Sequence, residues 1–239
     1  MRPFLALAAT ALAVSATASA QAPKPATTFT GDLGFVSASG NTELTTLNLG
    51  EKISHTDGKW ALSQLAAYVY GETSKKESAN QLRLALRADY AMNPRFGAYA
   101  AAQFERNSYA GFNRRTDELL GLLWRAIIAP MDSLGVEAGA VFTQQDNVDG
   151  STESFPSGRA AGNYKHLFSK AAYFQQLVEY LPNLKTSGEY RFNSESALVA
   201  PISAHIGVKV GYALRYDSAP PPKFGTTDRV FTTGIQLSY

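Results

Sequence analysis

The chain has 239 residues and carries 22 Lys and Arg against 20 Asp and Glu, a formal net charge of +2. That balance supplies no polycationic face for nucleic acid, and the absence of cysteine excludes a disulfide framework, a thiolate metal site and a cysteine nucleophile. A charged fraction of 18% with 45% hydrophobic residues is too polar for a helical membrane protein. It remains open to a transmembrane barrel, where only alternate residues meet lipid.

At the N-terminus, Arg2 is the sole charge before Lys24. Phe4 to Ala16 is largely apolar, and Ala18-Ser19-Ala20 offers an A-x-A cleavage site. This order predicts a secretory signal peptide over residues 1–20, and the apolar part is short for a membrane anchor. Residues 21–26, with Pro23 and Pro25, read as a linker. Beyond it no uncharged apolar run approaches the ~20 residues that a membrane helix needs. A mature chain that enters a membrane must then do so as a closed barrel, in which every backbone group is paired.

Residues 27–239 alternate with period two. In the run from Ile202 to Tyr216 the even positions are Ile202, Ala204, Ile206, Val208, Val210, Tyr212, Leu214 and Tyr216. The odd positions are polar or small, and a strand sorts such residues by face where a helix would scatter them. The pattern predicts an all-β, transmembrane, antiparallel up-and-down β-barrel of about twelve strands, preceded by the signal peptide. The strands are expected over 27–38, 42–55, 59–72, 79–91, 95–108, 115–128, 133–146, 154–167, 170–181, 187–199, 202–217 and 228–239. Strands 154–167 and 170–181 have the least clear facing.

With the N-terminus in the periplasm, the connections at residues 55–58, 92–95, 129–132, 168–170 and 200–201 are short periplasmic turns. Those at 73–78, 109–114, 147–154, 182–187 and 218–227 are longer and face outward, as in outer-membrane barrels. Ser39-Gly40-Asn41 is the short outer exception. Trp60, Tyr90, Phe96, Trp124 and Phe168 fall near the periplasmic rim. Tyr68, Tyr70, Phe104, Phe142, Tyr180, Tyr190, Phe192 and Tyr216 fall near the outer rim, which predicts two aromatic belts.

The last strand carries Thr232, Gly234, Leu237 and Tyr239, a polar-x-Gly-x-x-hydrophobic-x-aromatic spacing. It resembles the signal read by the barrel-assembly machinery, which is expected as a partner during biogenesis. An exposed final strand offers unpaired N–H and C=O groups to a partner strand.

The inward face is where function would reside. By register it is lined by Arg83, Arg87, Asp89, Glu105, Arg125, Glu137, Arg159, Glu189, Arg191, His205, Lys209 and Arg215, together with Lys52, Lys165 and Glu195. A Lys or Arg on the lipid side near midplane would cost about 2–4 kcal/mol. These groups either fill the lumen as ion pairs or line a pore, and twelve strands lie between filled and open barrels. Lys75, Lys76, Arg106, Arg114 and Arg115 lie on outer loops and rims, within reach of lipopolysaccharide phosphates.

The three histidines, His55, His166 and His205, lie at or near the periplasmic turns. A lipid hydrolase would need a Ser–His pair at the outer leaflet, and Ser203 beside His205 is at the wrong depth. Dispersed histidines give no metal-ligand spacing, and Asp146 to Gly150 departs from a calcium loop. No catalytic residue, cofactor site or metal site is therefore expected.

Gly34-Phe35-Val36-Ser37-Ala38-Ser39-Gly40-Asn41-Thr42, the Leu47-Asn48-Leu49 strand, Ala88-Asp89-Tyr90, Gln103 to Asn107 and the closing strand together resemble the YdiY-like salt-induced outer membrane proteins, a domain of unknown function. The resemblance covers nearly the whole mature chain and implies an outer-membrane barrel without established chemistry. The expected function is a monomeric, non-enzymatic outer-membrane protein, structural or stress-associated, with a filled or narrow lumen. The alternatives are a diffusion channel for small polar solutes and, less favoured, a lipid-modifying enzyme.

Overall fold

The computed structural model describes residues 26–38 and 44–239. The expected signal peptide, residues 21–25 of the expected linker and the Ser39-Gly40-Asn41 connection lie outside the described residues. The strands are β1 (Ala26–Ala38), β2 (Leu44–Asp57), β3 (Trp60–Thr73), β4 (Lys76–Ala91), β5 (Phe96–Asn107), β6 (Phe112–Ile128), β7 (Asp132–Asn147), β8 (Thr152–Leu167), β9 (Tyr173–Pro182), β10 (Tyr190–Pro201), β11 (Ile206–Asp217) and β12 (Thr227–Ser238). Each pairs antiparallel with its sequence neighbours, and β12 returns to β1 to close the barrel. A 3-10 turn, Ser108–Ala110, joins β5 to β6.

Alternation explains why these segments are strands. Leu33, Leu62, Leu86, Leu120 and Phe231 are each more than half exposed on the outer face. Surface that apolar, continuous around a barrel, is stabilised by lipid rather than by water. Trp60 packs on Tyr90 at 4.9 Å, and Phe96 pairs with Trp124 across β5 and β6, forming a girdle at one end. Tyr190 lies 5.4 Å from both Tyr180 and Tyr216 at the other. We call the first the turn end and the second the loop end. Glu51 is an exception to the apolar outer face. Its neighbours in register are Gly31 and Ala66, and its carboxylate accepts from Gln64 Nε2 at 2.9 Å.

The seam between β1 and β12 is short. Four register pairs hold it, Thr30–Leu33 with Ser238–Ile235, where β1 and β2 share thirteen. Reciprocal backbone bonds between Phe29 and Tyr239, at 2.8 and 2.9 Å, extend it at the turn end.

Several boundaries differ from the alternation. β11 begins at Ile206 and not at residue 202, because the N–H groups of Ile202 and Ser203 both donate to the Ile206 carbonyl and Ile202–His205 forms the turn. β9 begins at Tyr173, because the Ser169 hydroxyl accepts from the Ala172 N–H and folds residues 168–172 back. Most expected long loops are short. β3 and β4 are joined by Ser74 and Lys75 alone, both at positive φ (51° and 62°). That geometry follows the twist of the flanking strands. The missing loop length went into strands, since β4, β7 and β8 have 16 residues each and β6 has 17.

Two loop-end connections remain long. One of them, residues 218–226 between β11 and β12, crosses to the opposite wall. Pro221 and Phe224 press on Gly111 so closely that a Cβ there would lie 2.9 and 2.8 Å from them. Gly111 also has φ of +95°, so glycine is needed for both space and backbone. The triple proline Pro220-Pro221-Pro222 stiffens this strap.

Candidate functional site: the lumen

The lumen is filled from one wall. Tyr99, on β5, lies across the interior because Gly121 and Gly139, on β6 and β7, leave room for its hydroxyl. With Leu119, Val141 and Leu181 it forms a small apolar core inside the barrel. Ionic contacts cover that core. The Arg87 guanidinium lies 4.2 Å over the Tyr99 ring and pairs with Asp89 at 2.7 Å and Glu137 at 2.8 Å. Arg159 donates to Glu137 and to the Tyr99 hydroxyl, both at 2.6 Å, and to Glu179 at 2.5 Å. Glu137 therefore serves two guanidiniums, and each guanidinium has a second carboxylate.

Towards the loop end, Arg191 on β10 pairs with Asp117 on β6 at 3.2 Å and donates to the Thr143 hydroxyl at 2.8 Å. Arg115 stacks 4.0 Å from the Phe112 ring, donates to Gln145 at 2.6 Å and reaches Asp217 at 3.5 Å. Arg83 on β4 and Arg215 on β11 both bond Glu195 on β10, at 3.0 and 2.8 Å. This triad reaches from wall to wall.

The triad separates two spaces. A small chamber of about 70 Å³ lies at the loop end, under the strap, lined by Glu105, Asp117, Arg191 and Asp217 among others. A cavity of about 580 Å³ lies against β1–β3 and β8–β12 and extends towards the turn end. Arg83 and Arg215 line both. In the larger cavity, Lys209 pairs with Asp32 at 2.5 Å, Gln236 donates to the same carboxylate at 2.9 Å, and Tyr173 donates to Gln236 at 2.8 Å.

Of the residues assigned inward by register, Arg83, Arg87, Asp89, Glu105, Glu137, Arg159, Arg191, Lys209 and Arg215 stand in these networks, with Glu105 accepting from Gln81 at 2.6 Å. Three do not. Glu189 precedes β10 and accepts from Asn183 in the loop at 2.8 Å, because β10 starts only at Tyr190. His205 lies in the turn before β11, where its ring stacks on Tyr239 at 4.6 Å and its Nδ1 meets the Ser238 carbonyl at 3.0 Å. Arg125, beside a register shift in β6, reaches the Pro94 carbonyl in a turn at 3.5 Å. Arg115, assigned to the outer rim, points inward instead.

Alternation with charge alone does not single out Tyr99, Asp117, Glu179, Asp32 or Asp217. Asp117 shares the phase of Leu119 and Gly121, and apolar residues on the inner face hid that phase. Glu179 lies in the strand whose facing was least clear. Asp32 was legible, two residues from Thr30 in phase.

At the seam, Thr232 packs against Gly211, Gly234 lies against the Leu33 carbonyl, Leu237 faces outward and Tyr239 bonds Phe29. At the loop end, Arg114 pairs with Asp146 at 2.8 Å and Arg106 donates to Asn80 at 3.3 Å. Asp149, in the β7–β8 turn, accepts from the Ser151 hydroxyl and backbone N–H at 2.6 and 2.9 Å. Those two donors hold its carboxyl below the usual range.

Among the described residues no imidazole is hydrogen-bonded to a serine hydroxyl. His55 meets Thr27, His166 meets Asp132, and His205 meets a backbone carbonyl. Among the same residues no three His, Cys, Asp or Glu are placed to hold a metal ion.

A family model described as a protein of unknown function, DUF481, matches residues 31–239. The uncharacterized protein YdiY of Escherichia coli (strain K12) is 27% identical over 217 residues, 88% of this chain and 82% of that protein. The solved NanC porin shares 10% identity at a TM-score of 0.50 over 89% of this chain and 98% of its own, a likeness of fold alone. The KdgM porin in complex with disordered oligogalacturonate shares 16% identity at a TM-score of 0.49, over 88% of this chain and 99% of that one.

Proposed function

The chain belongs to the DUF481 family of proteins of unknown function, and from that premise we propose that it is a structural or stress-associated barrel of the bacterial outer membrane with a closed lumen and no enzymatic role. The observation that carries this reading is the Arg83–Glu195–Arg215 triad, which joins opposite walls between the two cavities. The strap on Gly111 adds a second obstruction at the loop end.

In this reading a signal peptide exports the chain and the barrel-assembly machinery receives it at the β1–β12 seam. The turn end faces the periplasm. The loop end faces outward, where Arg106 and Arg114 meet lipopolysaccharide phosphates, and the barrel acts as a monomer. Planar-bilayer recording of the purified protein tests the closure. Steady closed traces are expected, and a stable ohmic conductance would overturn it.

A narrow diffusion channel for small polar solutes is the second reading. It is favoured by the cavity of about 580 Å³, which reaches the triad from the turn side. It requires only that a thin partition yields, and the Glu195 side chain is 37% exposed. The same recording separates the two.

A further inference from the structure

The larger cavity has an excess of positive charge that the closure does not use. Lys52, Arg83, Lys165, Lys209 and Arg215 line it, against Asp32, Glu51 and Glu195. Glu51, although at the same wall, turns outward to Gln64. Asp32 is engaged by Lys209 and Gln236, and Glu195 by two arginines. Among the described residues, no carboxylate is paired with Lys52 or Lys165.

These two lysines stand on opposite walls. Lys52 is on β2, between Thr30 on β1 and Leu65 on β3 in register. Lys165 is on β8 with its ammonium 4.0 Å from the Tyr173 ring centroid. Both line the same cavity. An uncompensated pair of like charges inside a barrel costs stability unless something neutralises it. Around them stand neutral hydrogen-bonding side chains, those of Thr28, Thr30, Ser54, Asn163 and Gln175. That combination suits an oxyanion. Two ammoniums supply charge-assisted bonds from either side, and the amides and hydroxyls supply further donors.

We infer that the turn-end cavity is a binding site for a small oxyanion, a phosphate or carboxylate group held between Lys52 and Lys165. The site stands whether or not the triad above it conducts, since the anion enters and leaves from the turn end. Low-dielectric walls around excess positive charge also raise the local anion concentration.

The test is calorimetric titration of the full-length protein in neutral detergent, with inorganic phosphate in one arm and succinate in the other. Saturable binding in at least one arm is expected, weakening as salt rises, and the arm that binds identifies the group. Each of Lys52→Gln and Lys165→Gln should weaken it at least about tenfold, the scale of one charge-assisted contact. Lys52→Arg should retain it, as should Lys59→Gln, which lies at the same end on the outer face beside Tyr90. A readout that a merely structural lysine would not give is thermal stability without ligand. Removing one of two like charges should raise the melting temperature of each glutamine variant. No saturable binding by the wild-type protein overturns the inference whatever the variants do. Binding that survives both glutamine substitutions overturns it as well.

Discussion

Arg83 on β4 donates to Glu195 on β10 at 3.0 and 3.2 Å, across 112 residues of sequence and the full width of the barrel. In a ring of twelve strands β4 and β10 face one another. Two side chains therefore reach the barrel axis from opposite sides, and Arg215 joins the same carboxylate oxygen from the neighbouring strand at 2.8 Å.

Glu195→Ala should open this partition. The carboxylate is 37% exposed, so the loss of stability should be only about 1 kcal/mol. The larger effect is on passage. Arg83 and Arg215 lose their common anchor, and the two cavities merge. Bilayer recording should show frequent conducting events, with anions preferred, where the wild-type protein is quiet. Silent traces from a folded variant would mean that the strap or the Arg191–Asp117 layer holds the closure.

Glu137→Gln should be more damaging. Its side chain is 13% exposed and receives both Arg87 and Arg159. Breaking a buried pair from one side costs about 3 kcal/mol or more, because charge is left uncompensated. Asp89 and Glu179 retain partial hold on the two arginines, which places the expected loss near that lower figure. Urea unfolding in lipid vesicles measures it.

Gly121→Ala should cost about 2 kcal/mol, the scale of an overpacked core. A Cβ there would lie 2.5 Å from the Tyr99 hydroxyl and 2.6 Å from the Ala138 carbonyl. Combined with Tyr99→Ala, the loss should fall short of the sum of the single losses, since removing the ring removes one of the two clashes. A strictly additive cycle would show that the backbone contact alone sets the penalty.

Deleting Tyr239 should cut the folded fraction several-fold on a heat-modifiability gel. The seam has four register pairs, and the two Phe29–Tyr239 bonds extend it. His205→Ala removes the stack on Tyr239 and the Nδ1 contact with the Ser238 carbonyl, and should cost about 1 kcal/mol or less. Equal effects of the two changes would move the weight from the backbone bonds to the rings.

The β7–β8 turn should loosen in acid. Asp149 is held below its ordinary value by donors from Ser151. A carboxyl depressed on folding stabilises above its unfolded pKa of about 3.9, and that stabilisation fades as pH falls through the lower folded value. Protection of the Ser151 amide, measured against its intrinsic exchange rate at each pH, should be present at about pH 5 and decline as acid protonates Asp149. Asp149→Asn should lack this acid dependence.

The sequence alone determined the architecture. Lipid-facing and lumen-facing residues differ in kind along most strands, so runs such as Ile206, Val208, Val210 and Tyr212 reveal both the element and its outer face. Backbone pairing then leaves closure as the one solution in a membrane. The same alternation places a residue on a face without saying what stands opposite. That Arg83 meets Glu195 and that Lys52 and Lys165 share a cavity depend on strand stagger and barrel width. Those distances are set by the whole ring of twelve and by no single strand. Strand ends also lay beyond the pattern, because a turn such as Ile202–His205 can continue the alternation while its backbone bonds have already left the ladder. The tertiary structure therefore decided which inward charges cancel and which, at Lys52 and Lys165, are left for an anion.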